Sequence, residues 1–476
     1  MLYSAVIGEA DPCFRALGEV VRMTKVTANQ RLSAACAVVM LVAGAAIVRS
    51  EGEASTAVVK GTLADGTVYT LAKPEHWNGT VFVDLDSLGM NADYSAWLYE
   101  RGIARAGTSR AVTAWHLDKA IDNQAEVLAV FAAKFGAPRR SIIWGNSLGA
   151  LVAAGVAQKY PDRFAAAIPH CGALAGSLSF WNTRLDMAFT LKTLLAPGSS
   201  LPIVNVGADV KGASADWLKL VAEAQTTPQG RARIALAAAV GQVPVWTSKD
   251  IPEPRDDDAD AREVASFRTM HDSLIGQMLS SAVQYQEASG GVAAWNAGIS
   301  YADLLKKAYA VDRHTVSELY RKAGLDLAAD LRTLDGAPRI VADPAAVERA
   351  KKSVAFDGKL RIPVLALNIT GDSLAWSVYD TAYEAVARRE GRSDLLRMTY
   401  AHGPGHCGFT SAERIATFEA MLERLDTGRW PATAAAAMNA RAAASNPAAS
   451  RFVDYKPPTL NRMFFATDTA PTTSRR

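Results

Sequence analysis

The chain is poor in cysteine. Four in 476 residues cannot build a disulfide framework, and no C-x-x-C pair occurs, so no structural zinc site is implied. A dominant charge sign is also missing. Lys plus Arg number 51 against 48 Asp plus Glu, a net charge of +3, which gives no electrostatic case for a nucleic-acid partner. There is no P-loop and no G-x-G-x-x-G after a strand, so neither a metal nor a cofactor is implied. No internal repeat appears. What is present is a globular mix, 49% apolar and 21% charged, which excludes wholesale disorder.

One long apolar run occurs, Leu32 to Val48, between Arg31 and Arg49. It is barely long enough to span a bilayer and is rich in alanine. Lys25 and Arg31 form a basic region before it, and small residues follow at Ala43, Ala45, Gly52 and Ala54. That pattern reads as a secretory signal cleaved between 45 and 55. The expected location is secreted or periplasmic, with no stable membrane association after cleavage. A retained anchor or a buried helix are the alternatives. Ser33 stands where a lipobox before Cys36 needs Leu or Val, which argues against lipidation. The basic region works best if translation starts at Met23.

From Val58 to Ile168 strands and helices alternate. VYTLAKP (68–74), TVFVDLD (80–86), IARAGTS (103–109), RSIIWG (140–145) and FAAAIPH (164–170) read as strands. SAWLYERG (95–102), DNQAEVLAVFAAKFG (122–136) and LGALVAAGVAQKYP (148–161) read as helices. Such alternation predicts a mostly parallel sheet with right-handed crossovers, flanked by helices. Residues 176–355 then read as mostly helical, with the charged run PEPRDDDADARE (252–263) a solvated surface loop, a large insertion expected to cap the sheet's carboxyl edge. Its segment FRTMHDSLIGQMLSSAV is amphipathic and is expected to present an apolar face to a pocket mouth. Sheet-type sequence returns at RIPVLALNIT (361–370) and LLRMTYAH (395–402), then the helix SAERIATFEAMLERLD (411–426). The expected organisation is an extension and signal at 1–54, core at 55–175 and 356–430, cap at 176–355, and a surface-wrapping or partly disordered tail at 431–476.

The strongest motif is Gly145-Asn146-Ser147-Leu148-Gly149, between a predicted strand and a predicted helix. That is the setting of a nucleophile elbow. A sharp turn there lifts the Ser147 hydroxyl above the sheet, with the helix N-terminus facing developing negative charge. A serine hydroxyl needs a base. Of seven histidines, His402 and His406 lie on a glycine-rich loop after the last strand, in AHGPGHCGFT, and His406 is favoured. His170 ends the strand after the elbow helix and either lines the pocket or is structural. For the acid, Asp372 follows RIPVLALNIT at the strand's carboxyl edge. Asp380 is the alternative, within helical sequence.

GNSLG, the TGD after VLALNI, and GHCGFT together resemble the α/β-hydrolase superfamily, specifically a secreted serine esterase or peptidase with a large helical lid. The order Ser147, Asp372, His406 is the one the fold implies. One departure stands out. Many members carry His-Gly after the third strand to form half the oxyanion hole, whereas here the strand runs into Asp86-Ser87-Leu88-Gly89. The implied donors are the N–H groups of Leu148 and Leu88, with Asp86 a pocket residue or a loop cap. Serine at 147 excludes the dehalogenase and epoxide-hydrolase chemistries, which need Asp there. The implied activity is hydrolysis of carboxylic esters through an acyl-enzyme, on a small-molecule or polymeric ester. Amide or peptide cleavage by the same triad is the alternative, and a non-catalytic hydrolase-like binding protein a further one. Trp115, Trp181 and Trp376 could line the pocket or fill the core. Adjacent parallel strands deliver Cys171 and Cys407 to one sheet edge, which predicts a disulfide pinning the His406 loop, against two buried free thiols.

Overall fold

The computed structural model describes residues 46–48, 56–86, 92–446 and 449–469. The expected signal segment lies almost wholly outside them, as do Ser87, Leu88 and Gly89.

The β-branched and aromatic runs form the strands of one sheet: β1 (Ala46–Val48), β2 (Thr56–Thr62), β3 (Val68–Pro74), β4 (Thr80–Leu85), β5 (Ala104–Thr108), β6 (Arg140–Asn146), β7 (Ala166–His170), β8 (Val364–Gly371), β9 (Leu396–Pro404) and β10 (Phe452–Val453). Their order is β1-β2-β3-β5-β4-β6-β7-β8-β9-β10. β5 through β9 run parallel, while β1, β2, β3 and β10 add antiparallel edges. This is the mostly parallel sheet expected from the strand–helix alternation, and it fits the α/β-hydrolase fold that the resemblance implies.

Side chains alternate across the sheet, as a period of two requires. Val81, Val83 and Ile143 face one buried cluster, and Phe82, Ile142 and Trp144 the other. α2 (Leu117–Phe135) and α3 (Leu148–Lys159) cover the first face. α1 (Ala92–Glu100) and α14 (Ser411–Thr427) cover the second through Trp97, Leu98, Phe418 and Met421. Thr410 starts α14 with a capping box closed by Glu413, which satisfies two otherwise unpaired N–H groups.

Between β7 and β8 the chain is helical: α4 (Gly176–Leu195), α5 (Val210–Gln225), α6 (Pro228–Gly241), α7 (Ala259–Arg268), α8 (Ile275–Ser289), α9 (Tyr301–Lys307), α10 (Ala310–Ala323), α11 (Leu327–Gly336) and α12 (Pro344–Val354). α13 (Asp380–Arg389) follows β8. A π-helical turn, Thr269–Leu274, joins α7 to α8. The amphipathic segment there faces the opposite way to the sequence expectation. Met270, Leu274, Met278 and Leu279 are buried among the helices, and polar Gln277, Ser281 and Gln284 line the cavity beside Ser147.

The C-terminal segment also differs from a surface tail. α15 (Ala435–Ala443) packs on α14, and β10 closes the sheet beside β9. Beyond it, Leu460 and Phe464 are buried. Arg462 reaches the buried Asp186 of α4 at 2.7 Å and the Trp295 carbonyl at 2.7 Å. Few apolar residues mark this segment, but those few enter holes between the inserted helices.

Candidate active site

β6 enters a turn at Ser147, which has φ 56° and ψ −120° before α3 begins. Such a backbone is open to glycine and strained for other residues. The turn is tight enough that Gly145 admits no side chain and Gly149 leaves little room for one. A β-carbon on Gly145 would sit 2.5 Å from the Gly149 carbonyl oxygen, and one on Gly149 would meet the Leu85 carbonyl at 3.3 Å. The Ser147 N–H donates to the His170 carbonyl at 3.0 Å. Leu148, the first helical residue, carries an N–H without an intrahelical acceptor.

Three of the residues singled out from sequence meet here. His406 Nε2 lies 2.7 Å from Ser147 Oγ. His406 Nδ1 lies 2.8 Å and 3.0 Å from the two carboxylate oxygens of Asp372. Since a carboxylate only accepts, this assigns the proton to Nδ1 and leaves Nε2 to accept from the serine. Asp372 is wholly buried. Its Oδ1 also accepts from the N–H groups of Leu374 at 2.8 Å and Ala375 at 2.6 Å, and its Oδ2 from Cys407 N–H at 3.2 Å. These bonds compensate the burial of the charge.

Cys171 and Cys407 are joined in a disulfide. It ties the end of β7 to the residue after His406. Arg414, a buried residue of the first turn of α14, donates to Asn146 Oδ1 in the elbow and to the Cys407 carbonyl at 3.0 Å. Arg184 of α4, fully buried, donates to the Leu374 carbonyl at 2.6 Å and to Tyr379 Oη at 2.7 Å. Its guanidinium lies 3.4 Å from the Phe180 ring centre. Both arginines hold loops that carry the cluster. Neither shows in sequence, because Arg184 reaches Leu374 across 190 positions and Arg414 reaches Asn146 across 268.

The other candidates stand apart. His402 lies 3.1 Å from Glu253 and 3.2 Å from Thr370 Oγ1, and packs on Trp246. Asp380 is buried beside Asn368, and burial pushes its pKa well above the ordinary carboxylate value. His170 turns to the opposite face of the sheet, bonds Thr417 Oγ1 at 2.9 Å and stacks on Phe418. Asp86 caps a loop: its carboxylate accepts from the backbone N–H of Arg110 at 2.6 Å and from Arg110 Nε. Leu88 lies outside the described residues.

Above Ser147 opens a cavity of about 140 Å³. Trp115, Phe180, Leu148 and Leu151 supply its apolar wall, and α8 its polar one. Trp181 packs behind Trp115 at 5.3 Å, while Trp376 is buried against Tyr379. Clefts for drug-sized ligands run to about 300–1,000 Å³, so this one is small.

Residues 56–241 match a family of proteins described as putative esterases. The o-phthalyl amidase of Xanthobacter agilis is 34% identical over 420 residues, covering 81% of this chain and 91% of that protein. Solved structures that align include feruloyl esterase B from Aspergillus oryzae, 12% identical with a TM-score of 0.38 over 82% of this chain and 86% of that one. Lipase A from Candida antarctica aligns with 9% identity and a TM-score of 0.35 over 80% and 79% of the two chains.

Proposed function

The chain belongs to the α/β-hydrolases, in one family with the o-phthalyl amidase of Xanthobacter agilis, and from that premise we propose that it hydrolyses carboxylic esters of small aromatic acids through an acyl-enzyme on Ser147. The observation that carries this reading is the continuous hydrogen-bonded line from Ser147 Oγ through His406 to Asp372. Ser147 Oγ attacks the acyl carbonyl while Nε2 of His406 takes its proton. Asp372 holds the ring tautomer and stabilises the imidazolium. The Leu148 N–H, aimed by α3, receives the oxyanion, and such a donor contributes about 3 kcal/mol. His406 then returns the proton to the leaving oxygen. Water attacks the acyl-enzyme by the same steps in reverse.

Amide cleavage is the second reading, favoured by the amidase among the relatives. It uses the same residues and differs in the nitrogen leaving group that His406 must protonate. We read α4–α12 as a cap that closes the acyl cavity, supported by Phe180, Gln277, Ser281 and Gln284 in its wall. Export is supported by the N-terminal signal pattern and by the disulfide, a bond that persists in oxidising compartments. Among the described residues no helix is long and apolar enough to cross a membrane.

Fluorophosphonate labelling with peptide mapping tests the nucleophile, and paired 4-nitrophenyl benzoate and benzoyl 4-nitroanilide assays separate ester from amide. Label on Ser147 with ester turnover is expected. Label elsewhere, or no turnover of either class, would refute the reading.

A further inference from the structure

Arg184 of α4 is a buried cation without a carboxylate. It is 1% exposed and makes no ion pair among the described residues. Arg105 and Arg262, also buried, each meet one: Asp84 at 3.1 Å and Asp312 at 2.8 Å. A buried charge is costly unless it is paired. Arg184 lies instead against the Phe180 and Trp376 rings, its guanidinium 3.4 Å and 4.8 Å from their centres. Its two terminal nitrogens donate to neutral oxygens, Tyr379 Oη at 2.7 Å and the Leu374 carbonyl at 2.6 Å. Burial lowers its pKa, and Tyr379 and the Asp372 charge act against that fall.

The Leu374 contact leads to Asp372 through one peptide unit. The carbonyl of Leu374 and the N–H of Ala375 belong to the same planar, trans amide. That N–H donates to Asp372 Oδ1 at 2.6 Å, and the same Oδ1 lies 2.8 Å from His406 Nδ1. A guanidinium on the carbonyl therefore fixes the direction of the N–H on the far side of the amide. It also polarises the amide, which makes the N–H a stronger donor. The hydrogen-bonded line of Ser147, His406 and Asp372 thus continues through a peptide to a positive charge on an inserted helix.

We propose that Arg184 is a positioning residue for Asp372: it orients and polarises the Leu374–Ala375 amide, and so sets how Asp372 holds the His406 ring. This rests on the acyl-enzyme reading above. Arg184 is absent from the wall of the Ser147 cavity, so its effect falls on proton transfer through His406 and not on substrate binding. It also makes α4 a fixed part of the site. A cap that swung away at α4 would take the guanidinium off the Leu374 carbonyl.

The test uses Arg184→Gln and Tyr379→Phe in the full-length enzyme, each alone and combined with Asp372→Asn. Turnover of 4-nitrophenyl benzoate gives kcat and KM, and the rate of fluorophosphonate labelling of Ser147 follows the slowest variants. Arg184→Gln should lower kcat by about 10- to 100-fold, the worth of a charge-assisted hydrogen bond, with KM little changed. Tyr379→Phe deletes one hydroxyl, which keeps the fold and frees one end of the guanidinium, and should lower kcat by about two- to tenfold. In the Asp372→Asn background both losses should shrink to less than about threefold, because residues that act as a unit are not additive. An arginine that only supports packing predicts the same loss in both backgrounds. Equal losses in the two backgrounds, a loss confined to KM, or wild-type kcat in every variant that folds overturns the role of Arg184 and leaves the hydrolase reading standing. No label on Ser147 and no turnover in the wild type overturns the hydrolase reading itself.

Discussion

Replacing Ser147 by alanine and by glycine should give two inactive proteins of different stability. Both variants lose the Ser147 hydroxyl and its 2.7 Å contact to His406 Nε2. They differ by one methyl group at a backbone of φ 56° and ψ −120°. Holding a β-carbon in that region costs about 1–3 kcal/mol. Ser147→Ala keeps the strain and Ser147→Gly removes it. Against this, glycine frees the unfolded chain by about 0.5–1 kcal/mol. The difference leaves Ser147→Gly the more stable by about 1 kcal/mol, a factor of about five in the folding equilibrium. At a urea m-value of about 3 kcal/mol/M the midpoint moves by about 0.3 M. This sign is opposite to the usual Ala-to-Gly exchange, which destabilises a helix interior by about 1 kcal/mol. Urea titrations of the two variants, followed by tryptophan fluorescence with the disulfide intact, measure it. A Ser147→Ala protein as stable as Ser147→Gly, or more so, would refute the claim that the elbow stores strain.

His406→Ala should lower kcat by several orders of magnitude, whereas His402→Ala, which loses only the Glu253 and Thr370 contacts, should stay within about tenfold; steady-state kinetics that reverse this order move the base to His402. Opening the Cys171–Cys407 bridge frees a loop of 236 residues in the unfolded chain, about 5 kcal/mol in the chain-entropy picture. Because the bridge abuts His406, a reductant titration should lose esterase activity before it loses tertiary fluorescence; coincident losses would disprove that local role. Burial, assisted by the nearby Arg414 charge, holds the His170 imidazole neutral with its pKa well below the ordinary 6.5. The unfolded chain therefore binds a proton near pH 6.5 that the folded one refuses. The stability this contributes is full above pH 6.5 and declines as pH falls below it, and His170→Gln should flatten that slope between pH 7.5 and 5.5; an identical slope in the variant would assign the acid sensitivity elsewhere.

The parallel strands were legible because each is short, apolar and bounded by turn residues. TVFVDL is buried on both faces along its whole length, and such strands read as continuous runs. α2 was legible in its body but not at its start. It begins at Leu117, without a capping side chain at His116 to announce it. β10 was not legible at all. Two residues suffice for it because β9 offers an open edge at Tyr400 and Ala401, and a pairing that the partner strand supplies leaves almost no trace in the sequence that fills it. The C-terminal segment is unreadable for a related reason. Its arginine at 462 looks like a solvated charge until the buried Asp186 of α4 is placed 2.7 Å away.

The site divides along the same line. Ser147, Asp372 and His406 announce themselves because chemistry constrains their neighbours. The turn at Ser147 demands Gly145 and leaves little room at position 149, and His406 reaches Ser147 from a loop that bends back over the sheet. Residues that line the cavity beside them carry no such local demand. Arg110 sits in a turn where an arginine is unremarked, and only its Nε contact to Asp86 and its place in the wall of the Ser147 cavity give it meaning. Gln277, Ser281 and Gln284 lie on what the sequence offers as the solvent face of an amphipathic helix. Helical spacing brings out that polar stripe, but it does not say whether the stripe meets water or substrate. The packing decides it: Met278 and Leu279 are held among the inserted helices, which turns the stripe onto the Ser147 cavity. The Ser147, Asp372 and His406 cluster is thus written in local sequence, and the lining of its cavity in contacts between segments far apart in the chain.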